Sequence, residues 1–121
     1  MPSLEQMMSR SLVMVSPTAT VAEAATLMST NHVGSALVCD GDRLLGIFTE
    51  RDVVRALATD FDAAAARVTS WMTPDPTTLV PAASAAEALE LMLEGGFRHL
   101  PVVDGERVVG VVSLRDLAPR S

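Results

Sequence analysis

Cysteine occurs once in the 121 residues, tryptophan once, phenylalanine three times and tyrosine not at all. The lone thiol, Cys39, cannot close an internal disulfide, so packing must hold the fold, and a reducing cytoplasm is the expected setting. Cations are also few: nine Lys+Arg stand against 15 Asp+Glu, giving a net charge of −6 and a pI of about 4.7. A broad basic face is therefore excluded, and with it general binding of nucleic acid or of an anionic membrane. No apolar run approaches the roughly 20 residues that cross a bilayer. The stretch Met1 to Arg10 carries Glu5 and no apolar centre, so it does not read as a secretory signal. His32, His99 and Cys39 share no ligand spacing, and a zinc site needs three or four donors. Nor can a nucleophile–base pair or a pair of catalytic carboxylates be read, so no enzyme is expected.

What the chain does have is apolar residues, 49% of the total with a mean hydropathy of +0.32, and a repeat. Gly46-Ile47-Phe48-Thr49-Glu50-Arg51-Asp52 returns as Gly110-Val111-Val112-Ser113-Leu114-Arg115-Asp116. Asp40-Gly41-Asp42-Arg43 returns as Asp104-Gly105-Glu106-Arg107, and Thr20-Val21-Ala22-Glu23-Ala24 as Ser84-Ala85-Ala86-Glu87-Ala88. The differences 110−46, 104−40 and 84−20 each give 64, without a gap. A gapless repeat means two copies of one supersecondary unit.

Each copy opens with a strand-forming stretch, Leu12 to Val15 or Thr77 to Val80, stopped by Pro17 or Pro81. Thr20-x-x-Glu23 and Ser84-x-x-Glu87 are capping boxes, and apolar residues follow at 21, 24, 25, 28 and at 85, 88, 89, 92, the stripe of an amphipathic helix. These helices are expected to end near Asn31-His32 and at Gly95-Gly96. Two short apolar runs joined through Asp40-Gly41 or Asp104-Gly105 predict a hairpin. Pro101 cannot donate to a ladder, so its strand should lie at an edge or begin there. A second helix starts at Thr49 or Ser113, with Pro119 cutting the second one short. Leu4 to Met8 and Val68 to Met72 correspond as short lead-in helices, and Ala63 to Ala66 is expected to be helical. Met7, Met8, Met28, Met72 and Met92 fall at repeat-related places, which suits core or dimer packing, and Trp71 is core filler or an interface anchor. The predicted fold is α/β (α+β): two pseudo-twofold-related repeats, each a small three-stranded sheet with two helices. The division is 1–59, a linker 60–70, and 71–121.

This order of elements resembles the CBS domain family in its tandem form, the Bateman module. The residues that carry the resemblance are Val15-Ser16-Pro17 with Thr20 to Ala24, Arg98-His99-Leu100-Pro101-Val102-Val103-Asp104, and the Gly-x-x-Thr/Ser-x-x-Asp elements at 46–52 and 110–116. It spans Leu4 to Leu117 and implies a regulatory sensor that binds adenosine-containing ligands (AMP, ADP or ATP, or S-adenosylmethionine or NAD) and signals to a partner protein. The resemblance implies composite clefts. One would join Ile47, Thr49, Arg51 and Asp52 to Thr78, Val80, Ala85, Arg98 and His99. The other would join Val111, Ser113, Arg115 and Asp116 to Met14, Ser16, Val21, Gly34 and Ser35. A carboxylate such as Asp52 or Asp116 can accept both hydroxyls of a ribose diol. Because Arg98-His99 brings cations where Gly34-Ser35 brings none, the Asp52 cleft is the expected phosphate site. The first copy also has Leu37 where the family motif has proline. Asp52 and Asp116 have a plainer reading as well, as the acid members of capping boxes. The alternative reading is a ligand-free docking and dimerisation unit; a homodimer is expected, without any required cofactor or metal.

Overall fold

The computed structural model describes residues 2–117. Its elements in chain order are α1 (Leu4–Met7), β1 (Met14–Val15), α2 (Val21–Thr30), β2 (Ser35–Asp40), β3 (Arg43–Thr49), α3 (Glu50–Thr59), two 3-10 turns (Phe61–Ala65 and Val68–Ser70), β4 (Thr73–Pro74), α4 (Ala85–Gly95), β5 (His99–Asp104), β6 (Arg107–Ser113) and α5 (Leu114–Leu117). The mixed α/β class and the doubled unit follow the sequence reading. The chain divides into two compact units. One is Ser11–Pro76; the other joins the segment up to Arg10 to the chain from Thr77 onward.

The unit 11–76 holds a four-stranded sheet in the order β1-β2-β3-β4, one strand more than the sequence suggested. β1 runs parallel to β2, while β2–β3 and β3–β4 are antiparallel. Its core gathers Val21, Ala24 and Met28 of α2, Ala36 and Val38 of β2, Phe48 of β3, and Val68. Thr20 caps α2 as expected: its hydroxyl accepts from Glu23 N at 3.1 Å, and Thr20 N donates to Glu23 Oε1 at 3.0 Å.

The other unit repeats this plan at the same spacing. Its core gathers Leu4, Ala85, Ala88, Met92, Leu100, Val102 and Val112. The cross-strand pair Ala36–Phe48 becomes Leu100–Val112, so a small–large pair is exchanged for two middle-sized residues. The trade keeps the filled volume roughly constant, which is the change that close-packed cores tolerate best.

Each copy takes its lead-in from the chain before the other copy. Leu4 N donates to Ala83 O (2.9 Å), Ala85 N to Pro2 O (3.1 Å), and Leu4 is fully buried against the second copy. In the first copy, Val68 N donates to Ala19 O (2.9 Å), Val21 N to Ala66 O (2.8 Å), and Val68 is fully buried. Met7 and Met8 pack on the second core; Trp71 and Met72 pack on the first.

The predicted first strand of the second copy, Thr77 to Val80, is reduced to one parallel bridge, Leu79↔Val102. The reason is Pro101. In the first copy the equivalent Leu37 donates its N–H to Val13 O at 2.8 Å. Pro101 has no N–H, so the matching bond to Thr77 cannot form. Pro101 sits third in β5, opposite Val111, and β5 is an edge of its two-stranded sheet as expected, with the Leu79 bridge alone on the other side. The hairpin turns also fall one residue later than Asp-Gly implied. Asp40 pairs with Arg43 and Asp104 with Arg107, so the loop residues are Gly41-Asp42 and Gly105-Glu106, with glycine at positive φ in the first loop position. The stop at Pro119 lies outside the described residues.

Helix α4 ends on Gly96 at φ +71°, the left-handed cap that glycine adopts freely, while the equivalent place after α2 is His32 at φ +55°. A side chain in that region costs about 1–2 kcal/mol, and glycine returns part of that as lost entropy. His32→Gly is therefore expected to stabilise the protein by about 0.5–1 kcal/mol, read by chemical denaturation. A lower stability would show that the His32 side chain contributes more than its backbone costs.

Candidate functional site

The hydroxyl-x-x-acid corners form where β3 and β6 run into α3 and α5. In the unit 11–76, Thr49 caps α3. Thr49 N donates to Asp52 Oδ2 at 2.9 Å, Thr49 Oγ1 donates to the same oxygen at 3.2 Å, and Asp52 N donates to Thr49 Oγ1 at 3.4 Å. The other carboxylate oxygen, Oδ1, accepts from Arg55 Nη1 at 3.1 Å. Asp52 is 4% exposed. The Arg55 guanidinium carbon lies 5.8 Å from the centre of the Trp71 ring, a cation–π distance.

In the other unit, Ser113 N donates to Asp116 Oδ2 at 2.9 Å and Asp116 N donates to Ser113 Oγ at 3.3 Å. Asp116 itself is exposed. No cation among the described residues forms an ion pair with it. The plainer reading of both acids is therefore correct as far as it goes, since both cap a helix. The two copies differ in what remains: Asp116 still faces solvent, and Asp52 does not.

The residues expected in the two clefts divide between the units. Ile47, Thr49, Arg51, Asp52, Met14, Ser16, Val21, Gly34 and Ser35 lie in one; Thr78, Val80, Ala85, Arg98, His99, Val111, Ser113, Arg115 and Asp116 lie in the other. Within a unit, strand pairing fixes which of them are neighbours. Ser35 stands opposite Thr49, and Gly34 O accepts from Glu50 N at 3.1 Å. His99 stands opposite Ser113, Val111 opposite Pro101, and Arg98 O accepts from Leu114 N at 2.8 Å. Arg98 and His99 are thus built beside the Ser113–Asp116 corner. Arg98, Arg115, Val80, Ser16, Met14 and Arg51 are exposed; Val21, Ser35, Ile47 and Ala85 are buried. Ser16 is engaged locally, its Oγ accepting from Thr18 N at 3.1 Å.

Arg55 and the use of Trp71 as its platform were not among the expected site residues. A signal existed, because Asp52 and Arg55 are spaced i, i+3 on a helix with its acid in the first turn. Cys39, on β2, is half-buried. Burial, and next the charge of Asp42, pushes its thiol up from the ordinary range, so near neutrality it stays protonated and a poor nucleophile. Among the described residues no cluster of His, Cys, Asp and Glu could hold a metal ion, and no helix is long and apolar enough to cross a membrane.

The comparisons with known proteins agree with this architecture. The family model described as the CBS domain matches residues 4–59 and 67–120. A CBS domain-containing protein of Bacillus subtilis is 33% identical over 118 residues, covering 98% of this chain and 84% of its own. The crystal structure of a CBS-domain containing protein from Agrobacterium tumefaciens superposes with a TM-score of 0.87 at 31% identity, over 96% of both chains. A CBS domain pair solved in complex with 5′-methylthioadenosine and S-adenosyl-L-methionine shares the fold, with a TM-score of 0.87 at 23% identity over 96% of this chain and 92% of its own. With both repeats matched and nearly the whole chain covered, this protein belongs to the CBS domain family, as a tandem pair.

Proposed function

We propose that the chain is a regulatory rather than catalytic module, which holds an adenosine-containing ligand at the Ser113–Asp116 corner and passes its bound state to a partner protein. The observation that carries this reading is the exposed carboxylate of Asp116, with Arg98 and His99 built beside it. A carboxylate that keeps acceptor capacity toward solvent can take both hydroxyls of a ribose, and a nearby arginine suits a phosphate. That combination favours AMP, ADP or ATP over a neutral nucleoside. The CBS pair solved with 5′-methylthioadenosine and S-adenosyl-L-methionine supports an adenosine-type ligand more broadly. The preference for Asp52 rested on giving it Arg98 and His99. Burial of Asp52, and the pairing of His99 with Ser113, speak for Asp116 instead. The exposed apolar residues Val54, Leu57 and Phe61, spaced i, i+3, i+7 from α3 into the following turn, support self-association, the homodimer of the sequence reading.

Calorimetry with AMP, ADP, ATP, S-adenosylmethionine, 5′-methylthioadenosine and NAD tests the reading. Asp116→Asn keeps the shape but loses the charge. It is expected to weaken binding by about tenfold or more, the scale of a lost charge-assisted hydrogen bond. Absence of binding by all six at millimolar concentration would leave the docking-module reading in its place.

A further inference from the structure

Both copies carry a hydroxyl-x-x-Asp corner, yet only one leaves its acid in the open. We propose that Arg55 is the residue that decides this: it closes the carboxylate of Asp52, so that the protein takes its adenosine-type ligand at Asp116 alone. The inference rests on the functional reading above and adds to it the side chain that selects between the copies.

The geometry is specific. A sugar diol donates to the oxygens of a carboxylate, and both oxygens of Asp52 already accept bonds within its own chain, whereas among the described residues only Oδ2 of Asp116 does so. In Asp52, Oδ2 accepts from the backbone and hydroxyl of Thr49, and Oδ1 accepts from Arg55 Nη1. The same guanidinium has its carbon 5.8 Å from the centre of the Trp71 ring, which is itself half-buried against the first core. The side chain of Asp52 is 6% exposed, whereas that of Arg55 is 58% exposed. Arg55 therefore covers the acid from outside and is not a strut of the core. The repeat supplies the control. Positions 55 and 71 correspond to Pro119 and Met7, which offer neither a guanidinium nor an indole. The second copy thus lacks this arginine–indole pair at the repeat-equivalent positions, and its acid is exposed.

Two readouts test this on the whole chain. The first needs no ligand. Carboxylates are coupled to a small amine with a carbodiimide, and the labelled peptides are followed by mass spectrometry. In the wild type, Asp116 is expected to react faster than Asp52. In Arg55→Ala the rate at Asp52 is expected to rise on the order of tenfold, the combined scale of an exposed ion pair and a ring contact. The second is calorimetry with 5′-methylthioadenosine, a probe without phosphate, so that loss of the arginine charge does not itself alter the attraction. The wild type should take one equivalent and Arg55→Ala about two. Arg55→Gln, which keeps a long helix-favouring side chain, should behave like Arg55→Ala and guards against misfolding of the smaller variant. Equal labelling of Asp52 and Asp116 in the wild type would overturn the proposal. So would binding that survives Asp116→Asn and is lost in Asp52→Asn. If no variant binds the nucleoside, the functional reading fails, and the labelling contrast alone decides whether Arg55 closes Asp52.

Discussion

Leu4→Ala is expected to lower stability by about 2–5 kcal/mol, with the damage in the second copy, far along the chain from the substitution. Leu4 is fully buried and sits in one cluster with Leu100, Val102, Val112 and Met92. Truncating it removes the transfer free energy of its side chain and leaves a cavity that the surrounding strands can fill only in part. Hydrogen exchange shows where the loss falls. The amides of Leu100, Val102 and Val112 should lose protection, while those of Val38 and Phe48 keep theirs. Val68→Ala is the mirror experiment: a smaller loss, because fewer methyl groups are removed, and confined to residues 11–76. Loosening of Val38 and Phe48 by Leu4→Ala would show that the N-terminal segment docks on its own repeat instead.

Gly46→Ala should cost about 1–3 kcal/mol, although it adds a single methyl group. A Cβ at this place would stand 2.9 Å from Thr73 O and 3.0 Å from Met72 Cγ, and closer still to Met72 Sδ. The methionine end can swing aside, but Thr73 pairs with Ile47 in the β3–β4 ladder and its carbonyl cannot retreat without releasing β4. Thermal unfolding should register a loss on the order of 4 °C per kcal/mol for a chain of this size. At the equivalent Gly110 the three nearest atoms all belong to the side chain of Met8. Gly110→Ala is therefore expected to cost less. Equal losses at the two glycines, or none at Gly46, would refute the account. The comparison also explains the glycine of the Gly-x-x-hydroxyl-x-x-Asp element in this chain: it makes room for the methionine that closes each lead-in.

Some of this could be read directly. Thr20 and Ser84 announced helices because a hydroxyl followed three residues later by a carboxylate satisfies backbone N–H groups within one turn, a purely local arrangement. The stripe Val21, Ala24, Met28 identified a buried helical face by its spacing, and all three are buried. The capping half of the candidate site was equally local, since Thr49 and Asp52, or Ser113 and Asp116, lie three residues apart. Missing from the sequence reading were contacts whose partners are distant or whose alternatives are chemically alike. Pro101 showed that a ladder bond would be lost, but not which strand would lose it. Arg55 was one arginine among several until Trp71, sixteen positions on, supplied the ring beneath it.

The sequence by itself determined the repeated unit, its helices and central hairpins, its caps, and the family to which it belongs. Local hydrogen bonding and hydrophobic periodicity act over a few residues and are written out twice. Tertiary structure decided which lead-in docks on which core. Leu4 and Val68, or Met8 and Met72, have the same chemistry and the same place in the repeat, so either pairing satisfies the sequence. It also decided that the two acids are not equivalent. Exposure is set by what folds over a carboxylate: the i, i+3 spacing of Asp52 and Arg55 permits their ion pair, but does not reveal that Asp52 is buried while Asp116 stays open.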